Sequence, residues 1–325
     1  METKETKKHR RISDEFRDEL KFGKLKTLLD CVLEDDSLCL ELRGNAVNIY
    51  YRGGSLFKIN DKNDKYNITF DTKYQDLQNE DKNENKKLNP NPDIEEAVKS
   101  IPFYKQAMDK WFHKHPKYER EFQQIILREN NNSGKISRAT DYYIVDIEYQ
   151  DTENSSRFDM VAFKWPSNGA ARKNTNAFSL ALIEVKYGDN AVGGSAGIKK
   201  HLDDLKSFID DKEKLKEFKE DMEQVFKQKC ELGLIEGLSE NLTKQLNDKS
   251  NQKQVNIRLS DDEPEVIFIF ANHDPESKKI NNILSDINIS DYPFKILAAQ
   301  SSFMGYGLYM DNMIEIKDFI NMLSK

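Results

Sequence analysis

Cysteine is scarce in this chain, with three among 325 residues: Cys31, Cys39 and Cys230. They are odd in number, widely separated and without the paired spacing of a zinc site. The sequence therefore excludes a disulfide framework and a cysteine-based zinc module. Free, scattered cysteines are typical of a reducing compartment, and the expected location is cytoplasmic.

Long apolar runs and an excess of positive charge are missing as well. No segment approaches the roughly 20 apolar residues of a membrane span. The basic N-terminal residues are not followed by an apolar segment, so no secretory signal is expected. With 50 basic and 57 acidic residues, the net charge is −7. This balance argues against a protein that coats nucleic acid generally, although a local basic patch around an acidic site is compatible with it.

Composition divides the chain into four parts. Residues 1–12 are basic and predict a flexible tail, either solubilising or phosphate-binding. Residues 13–75 predict a helix over about 13–34 and then an antiparallel β-meander with Gly-Asn and Gly-Gly turns. Residues 76–93 are polar, contain two prolines and predict a linker. Residues 94–325 form the remaining part.

Helical and strand patterns alternate in this last part, which indicates an α/β (α+β) fold with a mixed central β-sheet flanked by helices. Helices are predicted from about residue 93 to 113, where Pro102 is expected to break or kink the helix, and from Tyr118 to Glu129. Three strands follow, and then one helix over about 196–227.

Two of these strands carry charges inside apolar runs. One reads Arg-Phe-Asp-Met-Val-Ala-Phe and contains Asp159. The other reads Ala-Leu-Ile-Glu-Val-Lys-Tyr and contains Glu184 and Lys186, which share one face because strand side chains alternate. Charges in a core strand are costly unless they bind something. We expect these two strands to be adjacent and antiparallel, so that Asp159 joins the other two residues on one face.

Such a group would present oxygen ligands to a metal ion. The carboxylates of Asp159 and Glu184 and the backbone carbonyl of Val185 suit Mg²⁺ or Mn²⁺. Lys186 beside them is suited to stabilise developing negative charge or to orient a water molecule.

The arrangement resembles the active site of the PD-(D/E)xK nuclease superfamily, in which an Asp on one strand precedes Glu-x-Lys on the next. Phe158 stands where that motif has proline. The resemblance covers roughly residues 95–310 and rests mainly on the helix–strand–strand–strand–helix context. It implies a restriction-endonuclease-like core with Asp159, Glu184 and Lys186 as catalytic residues.

The same resemblance implies supporting residues on the neighbouring helices. A Glu is expected on the preceding helix, where Glu119 and Glu121 stand, although each is equally readable as a surface glutamate. A Lys, Gln or His is expected on the following helix, where Lys200 and His201 stand. In the strand before Asp159, the alternation favours a solvent-facing Asp146 over one that supports the metal ligands.

Three functions are compatible with these patterns. The first is a metal-dependent nuclease that hydrolyses phosphodiester bonds, with nucleic acid as partner and DNA favoured over RNA by the resemblance. The second is a nuclease-like fold that only binds nucleic acid or a protein. The third is a structural domain with an accidental motif, which the net acidity favours. No membrane partner is expected, and a homodimer is left open.

Overall fold

The computed structural model describes residues 9–62, 65–75, 88–132, 134, 138–150, 157–194, 197–248, 255–274, 276–301 and 305–323. Most of the predicted tail, residues 1–8, and of the predicted linker, residues 76–87, lies outside this set. By its internal contacts the chain divides into two compact units. The first comprises residues 1–124 with 232–234, and the second comprises residues 125–231 with 235–325.

The first unit is built on a four-stranded antiparallel sheet in the order β1-β2-β3-β4, which confirms the predicted meander. Helix α3 shares its core, since the rings of Phe57 on β3 and Tyr104 on α3 lie 4.9 Å apart, edge to face. The elements of this unit are α1 (Asp14–Lys21), α2 (Lys26–Glu34), β1 (Leu38–Leu42), β2 (Ala46–Tyr51), β3 (Gly54–Lys62), β4 (Lys65–Thr69) and α3 (Ile94–Lys114).

The single helix predicted over residues 13–34 is wrong, because the structure has two. After α1 the Glu19 backbone carbonyl accepts hydrogen bonds from the N–H groups of Gly23 and Leu25. The Glu19 side chain accepts another from Lys24 N–H. These local bonds satisfy the end of the helix, and Gly23 disfavours its continuation.

Helix α3 runs through Pro102, so the expected break does not occur. A proline inside a helix removes one backbone hydrogen bond and costs about 3 kcal/mol or more. On the turns around it, Ile101, Tyr104 and Met108 are buried. Burial of such side chains contributes roughly 1.5–3 kcal/mol each, which together exceeds the cost of the proline.

The second unit contains a six-stranded mixed sheet in the order β10-β9-β8-β7-β6-β5. It confirms the predicted α/β class. Helix α4 (Tyr118–Asn131) begins in the first unit and ends in the second. The other elements are β5 (Tyr142–Gln150), β6 (Arg157–Lys164), β7 (Ser179–Tyr187), α5 (Ile198–Asp210), α6 (Lys212–Glu231), α7 (Glu240–Asn247), β8 (Glu265–Ala271), α8 (Lys279–Ser285), β9 (Ile296–Gln300), β10 (Ile314–Glu315) and α9 (Ile316–Leu323).

Strand direction changes across this sheet. Strand β6 is antiparallel to both β5 and β7, so the expected antiparallel pairing of the Asp159 and Glu184 strands is confirmed. Strands β7, β8 and β9 are parallel. Every residue of β8 is buried, as expected for a continuous apolar run in the middle of a sheet. Residues that follow β7 and β8 therefore leave the sheet at the same edge.

The long helix predicted over about 196–227 is two helices, α5 and α6. Asp211 separates them with a backbone ψ of 87°, outside the helical region. Its side chain accepts a hydrogen bond from Lys214 N–H, which caps the start of α6. Within the described residues, no helix is both long enough and apolar enough to cross a membrane.

Strand β5 lies at an edge of the sheet, and the Asn131 side chain replaces the missing neighbour strand. Its amide group donates to the Ile144 carbonyl at 2.7 Å and accepts from Ile144 N–H at 2.8 Å. The register of β5 shifts immediately afterwards, between Ile144 and Asp146. The end of α4 is thus tied to the β-bulge in β5.

Replacing Asn131 with Ala should destabilise the second unit by about 2–3 kcal/mol, because the buried Ile144 N–H and C=O lose both partners. The chain has two tryptophans. In a Trp111→Phe background, the buried Trp165 reports on unfolding of the second unit alone. Urea unfolding followed by Trp165 fluorescence measures the change. Asn282→Ala, at an exposed position of α8, serves as the control, and an equal loss in both variants would contradict the assignment.

Candidate active site

Strands β6 and β7 separate at the charged residues. Their ladder runs from Lys164–Ser179 to Met160–Ile183 and stops there, although both strands continue. Asp159 is the next residue on β6 and Glu184 the next on β7. Beyond the last pair, Val185 N–H donates to the Asp159 side chain, with 2.8 Å between N and Oδ2. A carboxylate thus takes the place of a backbone partner.

Two basic side chains lie against Glu184. Lys186 Nζ lies 3.6 Å from Glu184 Oε2, and His201 Nδ1 on α5 lies 2.7 Å from the same oxygen. The three motif residues are buried: Asp159 is 7% exposed, Glu184 0% and Lys186 3%. The described residues therefore bring Asp159, Glu184 and Lys186 into one buried charged cluster, with the partly buried His201 beside it.

The electrostatics of this cluster disfavour a second negative charge. Burial, and next the charge of Glu184, raise the pKa of Asp159 from 3.8 to about 7. The Val185 N–H, Lys186 and His201 act in the opposite direction but do not compensate. Two carboxyl groups that share one buried site cannot both ionise easily unless a cation joins them.

The available oxygen atoms suit a hard divalent cation. Asp159 Oδ1 makes no hydrogen bond within the described residues, since the Val185 N–H goes to Oδ2. In a strand, the N–H and C=O of one residue point to the same side, so the Val185 carbonyl also points toward β6. Glu184 supplies the second carboxylate. Mg²⁺ is usually held by one or two carboxylates together with water and substrate phosphate. The Asp159 and Glu184 carboxylates and the Val185 carbonyl fit this coordination.

Side chains alone do not complete a metal site. In the described part of the chain, no group of three or more His, Cys, Asp or Glu side chains is arranged to hold a metal ion. His201 therefore counts as a close neighbour of Glu184 and not as a third metal ligand. Any ion at Asp159 and Glu184 would depend on the Val185 carbonyl, water and substrate for its remaining ligands.

Lys200 and the two glutamates of α4 have other contacts. Lys200 is half exposed and pairs with Asp204 one turn along α5. Glu121 pairs with Arg52, with Nε and Oε1 2.8 Å apart, inside the first unit. Glu119 also lies in the first unit and is partly exposed. Supporting roles for Lys200, Glu119 and Glu121 stay predictions.

The expectation of a solvent-facing Asp146 is wrong, because this residue is only 1% exposed. The bulge between Ile144 and Asp146 interrupts the alternation on which the expectation was based. Asp146 Oδ1 accepts a hydrogen bond from Ile147 N–H at 2.9 Å. The alternative that Asp146 supports the metal ligands stays a prediction.

His273 and Asp189 lie beside the motif and are not singled out by the sequence patterns. Asp189 follows β7 and His273 follows β8, so the parallel pairing of these strands brings them to one edge. His273 Nε2 lies 3.0 Å from the Lys186 carbonyl oxygen. Both residues stand within two positions of the end of a core strand, and this position in the sequence is the signal that could have indicated them.

Comparison of the chain with protein-family models, with curated proteins and with solved structures found no match.

The raised pKa of Asp159 predicts a pH-dependent stability in the absence of divalent metal. Unfolded chains release this proton near pH 4, whereas the folded protein keeps it to about pH 7. Between these values the folded state holds the extra proton, so stability falls as pH rises and then levels off. The difference corresponds to up to about 4 kcal/mol.

Asp159→Asn should remove this loss, because an amide oxygen still accepts from Val185 N–H and carries no charge. With a chelator present, the variant should match wild type near pH 4 and exceed it at pH 8. Trp165 fluorescence during urea unfolding measures both, in the Trp111→Phe background. Asp210→Asn, at the exposed end of α5, is the control and should shift nothing. A wild type as stable at pH 8 as Asp159→Asn would contradict the buried pair.

Proposed function

We propose that the protein is a metal-dependent nuclease that hydrolyses phosphodiester bonds, with DNA favoured over RNA. The observation that carries this proposal is the buried cluster of Asp159, Glu184 and Lys186 at the point where β6 and β7 separate. Buried charges are often replaceable by apolar residues without loss of stability. Three of them in the middle of an apolar sheet are better explained by a ligand than by folding.

The order of the elements supports the same proposal. Helix α4 precedes the three antiparallel strands β5, β6 and β7, and helices α5 and α6 follow them. This is the helix–strand–strand–strand–helix order on which the resemblance to the PD-(D/E)xK nucleases rests. The Asp stands on the second strand, and Glu-Val-Lys stands on the third.

Each residue of the cluster has a distinct part in this proposal. Asp159, Glu184 and the Val185 carbonyl would hold Mg²⁺ or Mn²⁺. The ion supplies Lewis acidity toward a phosphate and makes water more acidic. Lys186, an ammonium group in a buried setting, neutralises the negative charge that develops on the phosphate oxygens as the phosphodiester bond breaks.

In this proposal, His201 orients the carboxylate of Glu184. Its Nδ1 lies 2.7 Å from Glu184 Oε2 and therefore fixes the direction in which that carboxylate points. A side chain in this position can orient a metal-binding carboxylate without contacting the metal itself.

A binding module without catalysis is the second candidate. The observation that favours it is that Lys186 and His201 both lie against Glu184. These two basic side chains give the cluster some internal charge balance before any metal is bound. A protein of this type would bind nucleic acid or a protein partner with no dependence on divalent ions.

Substitution of the cluster separates these candidates. Asp159→Ala and Glu184→Ala should each abolish Mn²⁺ binding and cleavage, because each removes ligand oxygens. Lys186→Ala should keep or strengthen Mn²⁺ binding and lose turnover by at least about 100-fold, because an ammonium repels the cation and acts on the reacting phosphate. Calorimetric Mn²⁺ titration and cleavage of labelled single-stranded and double-stranded DNA and RNA measure both effects.

Thermal stability gives an independent measure of the same site. Saturating Mn²⁺ at 100 times its dissociation constant should stabilise wild type by about 2.7 kcal/mol. Asp210→Ala and Lys216→Ala, at exposed positions outside the cluster, are the matched controls. Wild type that shows neither stabilisation by Mn²⁺ nor cleavage would refute the enzyme, and metal-independent binding of nucleic acid would then favour the second candidate.

A further inference from the structure

His273 joins the two loops that leave the sheet beside the candidate active site. Its Nε2 lies 3.0 Å from the backbone carbonyl oxygen of Lys186, and its Nδ1 lies 2.8 Å from Asp189 Oδ1. The imidazole is mostly buried, with a side-chain exposure of 10%. Phe270 covers it from β8, with the two ring centroids 5.7 Å apart.

Both ring nitrogens of His273 face oxygen atoms that can only accept. A backbone carbonyl and an ionised carboxylate have no proton to donate, so the two hydrogen bonds exist together only when the ring carries a proton on each nitrogen. Together the two contacts of the ring clamp the end of β7 to the loop that follows β8.

Asp189 is itself fixed in place. Asp274 N–H also donates to Asp189 Oδ1, at 3.3 Å. Nearby, Gly188 N–H donates to the Ala271 carbonyl at 2.8 Å, which joins the two loops through their backbones. His273 therefore contacts Lys186 from a rigid support.

We infer that His273, held by Asp189, is a positioning residue that fixes the backbone of Lys186 and so aims its ammonium group. This inference rests on the proposed nuclease function. It assigns a role to two residues that contact neither Asp159 nor Glu184 through any hydrogen bond in the described residues. The Lys186 side chain starts from the peptide unit that His273 holds, and its Nζ must stay near Glu184 Oε2, 3.6 Å away.

The expected size of the effect follows from the geometry. Displacement of a reacting group by about 1 Å can reduce a rate on the order of 100-fold. Loss of one supporting hydrogen bond typically costs 10- to 100-fold. Since His273 acts on Lys186 and not on the metal ligands, the loss should fall on kcat, with KM and Mn²⁺ affinity close to wild type.

Two isosteric substitutions separate the two hydrogen bonds of the ring. The amide nitrogen of Gln overlaps Nε2 of histidine, so His273→Gln keeps a donor toward the Lys186 carbonyl and loses the one toward Asp189. The amide nitrogen of Asn overlaps Nδ1, so His273→Asn does the reverse. We expect His273→Gln to stay within about threefold of the wild-type kcat and His273→Asn to lose at least about tenfold.

The readouts are single-turnover cleavage, calorimetric Mn²⁺ affinity and Trp165 fluorescence during unfolding. His113→Gln, at an exposed position of α3, is the control and should leave all three unchanged. Equal losses of kcat in the Gln and Asn variants, or a wild-type rate in His273→Asn, would overturn the inference.

A failure of the nuclease proposal itself has a different signature, because wild type would then cleave nothing. The clamp on Lys186 would have no reaction to serve, and the inference would fall with the proposal. If His273→Asn does not fold, His273→Ala carries the test, since it also removes the donor toward the Lys186 carbonyl. A folded His273→Ala with wild-type kcat would also overturn the inference.

Discussion

The hydrogen bond from Val185 N–H to the Asp159 carboxylate is the interaction on which the candidate active site depends. It lies where the β6–β7 ladder stops, and it lets two core strands separate without leaving that N–H unsatisfied. An unpaired buried backbone group would cost about 1–3 kcal/mol. By accepting this bond through Oδ2, Asp159 keeps its second oxygen, Oδ1, out of that contact.

The apolar core of the second unit lies next to the point where β6 and β7 separate. Phe163 on β6 packs against Phe178 and against Phe226 on α6, with ring centroids 5.0–5.6 Å apart. The antiparallel ladder is continuous through these positions. Strand β6 is therefore anchored by apolar packing at one end and is free of ladder bonds to β7 at the other. A site of this kind obtains its geometry from the core next to it.

The charges at the opening are kept at a cost to stability. Asp159 and Glu184 are buried together, and burial raises the pKa of Asp159 to about 7. Lys186 and His201 reduce this cost without removing it, and a divalent cation would reduce it further. Natural proteins break local rules of this kind mostly at functional sites. That is the physical basis for assigning a ligand to this cluster.

The sequence by itself determined the class of the fold and the antiparallel meander. It also predicted that Asp159, Glu184 and Lys186 lie together on adjacent antiparallel strands. Alternation and charge within strands are local patterns, so these features could be predicted without the tertiary structure. It did not determine where long helices end, since the breaks at Gly23 and Asp211 depend on hydrogen bonds that propensity does not predict. It misjudged Asp146 because a bulge shifts the register.

Only the tertiary structure decided which neighbours reach the motif. His201 and Lys200 are adjacent in sequence, yet one contacts Glu184 and the other pairs with Asp204. The packing of α5 against the sheet makes that choice, since consecutive residues on a helix point about 100° apart. His273 is 87 residues from Lys186. Their contact exists because β7 and β8 are parallel neighbours, and strand pairing over such distances is not encoded in any local pattern.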